Sequence, residues 1–222
     1  MILTILSQHT LWLLRFTYKK LKEKLTVSDS KKLFHEQFPY VIPGLYKRIV
    51  DEMLVELNLL THQNEFFQDD FFCVGLTETY KELMKGYKPE EHLNLLFESL
   101  CNSTNFEAKE IKKNSQKILK VIADKSSKDI SNILKEKSGS NLYSSRILNL
   151  GIYITISNSN DFKDNSESEK NKILSDIFKN LNLSVIKADK DIGIYKSSIT
   201  KLVQAKELLE ELKIKDKKKK IS

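Results

Sequence analysis

The sequence predicts an all-α fold: a single-domain multi-helix bundle with a long C-terminal helix of coiled-coil-like pattern. Only 6 Gly and 3 Pro occur among the 222 residues, and a chain with so few helix breakers favours helices over a loop-rich β fold. Apolar residues recur with the 3.6-residue period of a helix across residues 43–60. In a heptad frame over residues 185–209, seven of the eight a and d positions are apolar, which is typical of a long packed helix or a coiled-coil segment.

The first predicted helices begin with capping residues or prolines. Thr26 and Asp29 form a typical N-terminal capping pair for a short helix. The next helix covers residues 43–60, and its apolar face is too broad for a helix at the surface. We therefore expect residues 43–60 to be the central helix of the bundle, packed on more than one side. Asp69 or Asp70 can cap the helix that follows.

A tight joint is predicted between the third and fourth helices. Gly86 is a typical residue for a left-handed C-terminal cap, and Pro89 is well placed to start the next helix almost at once. Residues 107–124 and 127–137 carry two further helical patterns.

The segment 148–157, LNLGIYITIS, is ambiguous because its alternating isoleucines are also a strand signal. A lone strand is not stable, and no other segment reads as its partner, so we predict a helix here. Ser166 and Glu169 form a capping pair for the next helix. Gly193 lies inside the final helix and weakens it by about 1 kcal/mol relative to Ala.

We divide the chain into three parts: an N-terminal extension of uncertain status (1–25), a helical domain (26–212) and a disordered Lys-rich tail (213–222). The apolar start of the extension is shorter than the roughly 20 residues needed to cross a bilayer, and it lacks the features of a secretory signal. It is an in-plane membrane anchor, an extra docked helix or sequence translated from upstream of the true start.

The net charge of +7 raises the alternative of a basic helical nucleic-acid-binding protein. However, residues 1–25 carry +4 and residues 213–222 carry +5, so residues 26–212 carry −2. A folded nucleic-acid module usually keeps a basic face on its body, and we therefore expect no nucleic-acid partner. The basic ends make peripheral contact with an anionic membrane possible.

The sequence predicts no catalytic, cofactor-binding or metal site, no cofactor and no enzymatic activity. It contains none of the common nucleotide-binding, zinc-protease or hydrolase motifs. The histidines fall in different predicted elements without metal-ligand spacing: His9, His35, His62 and His92. Cys73 and Cys101 are too few for a disulfide framework, which fits a reducing compartment, and we expect them to be small buried hydrophobes. An unrecognised helical active site would show itself as converging acids or histidines with perturbed pKa values.

Two groups of residues have a possible functional interpretation beside the structural one. Glu52 and Glu56 lie on the broad helix 43–60, and we expect them to form salt bridges to Arg48 or to another helix. Four aromatic residues could form a docking surface, although packing at a helix corner is the favoured interpretation: Phe66, Phe67, Phe71 and Phe72.

Six stretches, taken together and in this order, resemble the thylakoid formation protein family of cyanobacteria and plastids, whose members are also described as photosystem II biogenesis proteins. They are TVSDSKKLF (26–34), PGLYKRIVDEMLVELNLL (43–60), FFCVGLTETYKELMKGYKPEE (71–91), LFESLCNSTNF (96–106), SSRILNLGIY (144–153) and DKDIGIYKSSITKLVQAKELLEE (189–211). Together they cover most of residues 26–212, and residues 1–25 lie outside the resemblance. Gly193 stands where the family commonly has an acidic residue, and Asp70 is followed by Phe71 where the family often has proline.

This resemblance implies an all-α fold without known catalytic activity. It also implies a role in thylakoid membrane formation and in assembly or repair of photosystem II, through protein–protein contact that includes support of an FtsH-type membrane protease. The expected location is cytoplasmic to peripheral at the thylakoid membrane of a cyanobacterium, with possible membrane contact through residues 1–25 and the Lys-rich tail. The resemblance implies no site residues.

Overall fold

A computed structural model of the chain describes residues 24–138 and 142–221, and it confirms the all-α fold. The N-terminal extension therefore lies almost wholly outside the described residues. The helices within the described residues are α1 (Val27–Gln37), α2 (Gly44–Thr61), α3 (Asp70–Leu83), α4 (His92–Asn102), α5 (Ala108–Ile122), α6 (Ser127–Ser138), α7 (Arg146–Ser157), α8 (Asn160–Lys163), α9 (Glu167–Asn180) and α10 (Val185–Ile221).

Helices α3 and α7 form the centre of the bundle. Ten of the fourteen residues of α3 and eight of the twelve residues of α7 are buried. The two helices pack against each other more extensively than any other pair among the described helices, and α3 also packs against α5 and α10. The ambiguous segment 148–157 lies in α7, so the prediction of a helix there is confirmed.

The expectation that residues 43–60 form the central helix is wrong. Helix α2 packs mainly against α1 and α4, and the side chain of Leu59 is half exposed. Its apolar face is broad because α2 packs against both of these helices and also supplies side chains to the core cluster that contains Phe72 and Leu76 of α3. The aromatic and aliphatic side chains on α3 are divided between both halves of the core: Phe72 and Leu76 face the half closed by α1, α2 and α4, while Phe71 and Val74 face the half closed by α5, α6 and α9.

The predicted helix caps are present in the structure. Thr26 forms a reciprocal capping box with Asp29, and Ser166 forms one with Glu169. Asp69 caps α3, because its side chain accepts hydrogen bonds from the backbone amides two and three residues further on, at 2.7 and 2.8 Å. Gly86 has a φ of +78°, which explains the need for glycine at the joint after α3.

Two predicted boundaries differ from the structure. Helix α4 begins at His92 rather than at Pro89, because a turn occupies the residues between them. Helix α10 continues to Ile221, so the backbone of residues 213–221 is helical, whereas we expected a disordered tail there. Lysine is a good helix former, and a lysine-rich segment can extend a helix that has already begun. None of the helices in the described residues is long and apolar enough to cross a membrane.

Candidate functional site

A partly buried ion pair joins α2 to α7. The Arg146 Nε donates a hydrogen bond to Glu56 Oε2 at 2.8 Å, and its Nη2 donates to the same oxygen. Burial raises the pKa of Glu56, while the Arg146 guanidinium opposes that shift. This geometry supports the salt-bridge interpretation of Glu56. Glu52 instead pairs with Arg48 at 2.7 Å on the exposed side of α2.

Polar groups from α10 extend this ion pair into a cluster. Asn149 on α7 donates a hydrogen bond to Asp191 on α10 at 2.8 Å, and both side chains are buried. The Asp191 carboxylate also contributes to raising the pKa of Glu56, although less than burial does. The cluster of Glu56, Arg146, Asn149 and Asp191 therefore joins three helices, and we call it the polar junction.

A small cavity lies beside the polar junction, where α2, α3, α7 and α10 meet. Its volume is about 60 Å³, and its lining includes Glu56, Arg146, Thr79 and Tyr195. This is enough space to hold water. The buried Thr79 hydroxyl has no hydrogen-bond partner among the described residues, so the cavity offers a water molecule one partner in addition to the ion pair. The arrangement can hold helices together and bind water.

Sequence reasoning missed Arg146, Asn149 and Asp191. One signal was available, because Asn149 interrupts the otherwise apolar run of residues 147–153. A buried amide needs a polar partner, but periodicity within one helix cannot identify a partner on another helix.

The three histidines of the described residues do not form part of a metal site. Among the residues that the structure describes, no group of three or more His, Cys, Asp or Glu side chains is arranged to hold a metal ion. His92 stacks on Tyr40 with 3.9 Å between the ring centroids, and His62 Nδ1 lies 2.9 Å from the carbonyl oxygen of Asn58. His35 packs edge-on against a neighbouring phenylalanine, and His9 lies outside the described residues.

The two cysteines are fully buried. Burial raises the pKa of the thiols of Cys73 and Cys101, so both are small apolar groups in the core. Three members of the aromatic group also pack in the core: Phe66 lies against Phe72 at 5.1 Å between centroids, and Phe71 is buried on the other side of α3. The exception is Phe67, which is 69% exposed.

The C-terminal part of α10 differs from the rest of the bundle in its exposure. Lys206 donates a hydrogen bond to the carbonyl oxygen of Lys85 and lies over the ring of Tyr46, with its Nζ 5.8 Å from the ring centroid. Among the described side chains, this is the last polar contact of α10 with the body. Beyond it, four apolar residues are between 46% and 58% exposed: Leu208, Leu209, Leu212 and Ile214.

Comparison with known proteins assigns most of the chain to one family. A family model described as "Thylakoid formation protein" matches residues 26–222. A relative called "Protein Thf1" from Prochlorococcus marinus subsp. pastoris is 77% identical over 200 residues, which cover 90% of this chain and 99% of the relative. A "Protein Thf1" from Prochlorococcus marinus strain NATL1A is 40% identical over 189 residues, covering 84% of this chain and 95% of the relative.

One solved structure has a similar fold. It is described as "Structure of Psb29 at 1.55A", and its TM-score against this chain is 0.78. The match covers 89% of this chain and all of that chain, at 23% sequence identity. The likeness therefore supports the helical fold described above.

Proposed function

The chain belongs to the thylakoid formation protein family, and from this membership we propose that it is a non-enzymatic factor in thylakoid membrane formation and in photosystem II assembly or repair. The observation that carries the proposal is the family match, which runs through all ten described helices. The protein is therefore related to the family along all the helices of the described residues.

The buried polar groups have structural roles, which supports a function in protein–protein binding rather than in catalysis. The carboxylate of Glu56 is engaged by Arg146, and Asp191 is engaged by Asn149, so these groups hold helices in place. The thiols of Cys73 and Cys101 are buried among apolar side chains. A protein of this kind acts through its surface, on which other proteins can dock.

We further propose that the protein works at the surface of the thylakoid membrane and that one of its partners is an FtsH-type membrane protease. In this hypothesis the protein helps to maintain the amount of the protease, which in turn allows damaged photosystem II to be repaired. The family's description in terms of thylakoid formation supports the proposed location.

Deletion of the gene tests the proposed function. We expect the deletion strain to recover photosystem II activity more slowly after strong light and to contain less of the protease, with both defects reversed by the wild-type gene. Unchanged recovery together with an unchanged protease level would contradict the proposal.

A pull-down tests the proposed partner. A tagged full-length chain is incubated with solubilised thylakoids, and we expect the protease to be recovered with it but not with the tag alone. Recovery of photosystem II subunits without the protease would support a direct role in assembly and would contradict the protease partnership.

A further inference from the structure

The exposed end of α10 carries an apolar face that the rest of the described chain does not cover. At 100° per residue, Ala205, Leu208, Leu209 and Leu212 lie within about 100° of arc on one side of the helix. We call this side the leucine face. It begins beside Leu202, which is buried against the body, and continues the packed side of α10 into solvent.

The charges around this face are sorted by sign. Glu207, Glu210 and Glu211 lie on the opposite side of the helix, with angular positions more than about 100° from the centre of the leucine face. Lys215 lies at one edge of the face. The segment 213–221 carries a net charge of +5, while residues 26–212 carry −2. Along the sequence, a strongly basic segment therefore follows the leucines directly.

We propose that the leucine face is a docking surface for an anionic lipid membrane, into whose surface the leucines insert, while the positive charge of segment 213–221 supplies electrostatic attraction to the lipid headgroups. An interfacial helix combines a hydrophobic face with cations that are attracted to anionic lipid, and its polar face stays in water. The arrangement at the end of α10 has these three parts. Residues 26–212 carry −2 and add little attraction, so the charge of +5 on segment 213–221 favours contact through this end of α10 over contact through the body.

A second helix is a less suitable occupant for this face than a membrane. The heptad frame of residues 185–209 already has lysine at 206, and continued beyond Leu209 it places lysine at 213 and aspartate at 216. A coiled coil needs apolar residues at most a and d positions, so the seam of this frame ends at Leu209, and Leu208 and Leu212 lie outside its a and d positions. The inference deepens the proposed location at the membrane surface, on which it rests, by naming the face that contacts lipid, and its test requires neither photosystem II nor a protease.

The experiment measures flotation of the full-length chain with vesicles. One set of vesicles contains phosphatidylcholine with roughly one third phosphatidylglycerol, and the other contains phosphatidylcholine alone. The test variant is Leu208→Ser/Leu212→Ser, and the matched control is Val203→Ser/Ile214→Ser. Val203 and Ile214 are exposed to a similar degree but lie on the opposite side of α10. Circular dichroism and thermal melting check that both variants remain folded.

We expect the wild-type chain and the control variant to bind the anionic vesicles, with little binding to phosphatidylcholine alone and weaker binding at high salt. The leucine variant should bind at least about tenfold more weakly, a change equivalent to 1.4 kcal/mol. Equal binding by the leucine variant and the wild type would overturn the proposal, and so would an absence of binding by the wild-type chain. If the leucine variant bound vesicles normally but lost the protease in the pull-down, the face would be a protein-docking surface instead. The deletion experiment is independent of these outcomes, so the two proposals can fail separately.

Discussion

Gly75 and Gly151 bring the backbones of α3 and α7 into direct contact where the two helices cross. A Cβ atom on Gly75 would lie 2.0 Å from the carbonyl oxygen of Ile147, and one on Gly151 would lie 1.9 Å from that of Phe71. These distances leave no room for any side chain. The closest approach in the core therefore depends on a glycine in each helix.

Gly75→Ala should destabilise the protein strongly, because the added methyl group would collide with backbone rather than with a flexible side chain. Overpacking of a core commonly costs about 1–3 kcal/mol, and we expect a loss of about 3 kcal/mol here. Urea unfolding followed by circular dichroism measures the change. Gly193→Ala is the control, since a Cβ there meets nothing within 4 Å, and it should stabilise α10 by up to about 1 kcal/mol. Equal effects of the two substitutions would show that α3 and α7 can separate at little cost.

Arg146→Met should destabilise the protein because it leaves the Glu56 carboxylate partly buried without its cation. We expect a loss of about 2 kcal/mol near pH 7.5, below the 3–5 kcal/mol typical of fully buried pairs. Burial already raises the pKa of Glu56, and loss of the guanidinium should raise that pKa further. An acid with a raised folded-state pKa contributes stability at low pH that is lost as the pH rises through that pKa. The loss should therefore be smaller near pH 5.

The control for this substitution is Glu56→Gln/Arg146→Met, in which no buried charge remains unpaired. The double variant should be more stable than Arg146→Met and closer in unfolding free energy to the wild type. The difference between the double variant and the wild type should change little between the two pH values. A single variant as stable as the double variant would mean that water screens Glu56 well enough to replace Arg146.

Asp69→Asn should stabilise the protein at neutral pH. Burial raises the pKa of Asp69 from 3.8 to about 6, so folding disfavours its charged form. The stability that Asp69 provides is fully present below about pH 4 and is lost as the pH rises to about 6. The amide oxygen of asparagine can still accept from the amides of Phe71 and Phe72. We expect a gain of about 1 kcal/mol near pH 7.5 that disappears near pH 4, since each pKa unit is worth up to 1.36 kcal/mol.

Asp69→Ala separates the charge from the cap. It removes the acceptor as well as the carboxylate, so it should be less stable than Asp69→Asn by about 1 kcal/mol at every pH. Unfolding curves recorded at several pH values measure both effects. A difference between Asp69→Asn and the wild type that does not change with pH would contradict the shifted pKa.

Met53→Asp should unfold the protein, whereas Lys47→Ala should not. Met53 is buried in the half of the core that α1, α2 and α4 close, so an aspartate there would place an unpaired charge among apolar side chains. We expect a loss of more than about 4 kcal/mol for Met53→Asp and a change within about 0.5 kcal/mol for the exposed Lys47. Thermal melting compares the two. Similar melting temperatures would show that α2 can detach without loss of the fold.

Local signals made the helices and most of their ends predictable from the sequence. A cap such as Asp69 acts on amides two and three residues away, and the left-handed conformation of Gly86 concerns its own backbone. Segment 148–157 required one further step, because its isoleucines fit a strand until the lack of a partner is considered. Helix propensity also explains why the lysine-rich end continues α10, where net charge alone favoured disorder.

The arrangement of the helices could not be predicted in the same way. The broad apolar face of residues 43–60 suggested a central position, but the centre is defined by Gly75 and Gly151, two residues without side chains. The polar junction is a second example, since Glu56 and Arg146 are ninety residues apart and neither segment indicates the other. Contacts of this range depend on how helices pack, which periodicity within a single helix does not determine.

Because Cys73 and Cys101 are buried, the reactivity of their thiols reveals whether the core is closed. A thiol reacts as the thiolate, and both thiols are shielded from solvent with pKa values raised by burial. The folded chain should therefore resist peroxide and alkylating reagents until the core opens. The rate at which a thiol reagent labels the wild-type protein then measures how often α3 and α4 separate from their neighbours, without any added probe.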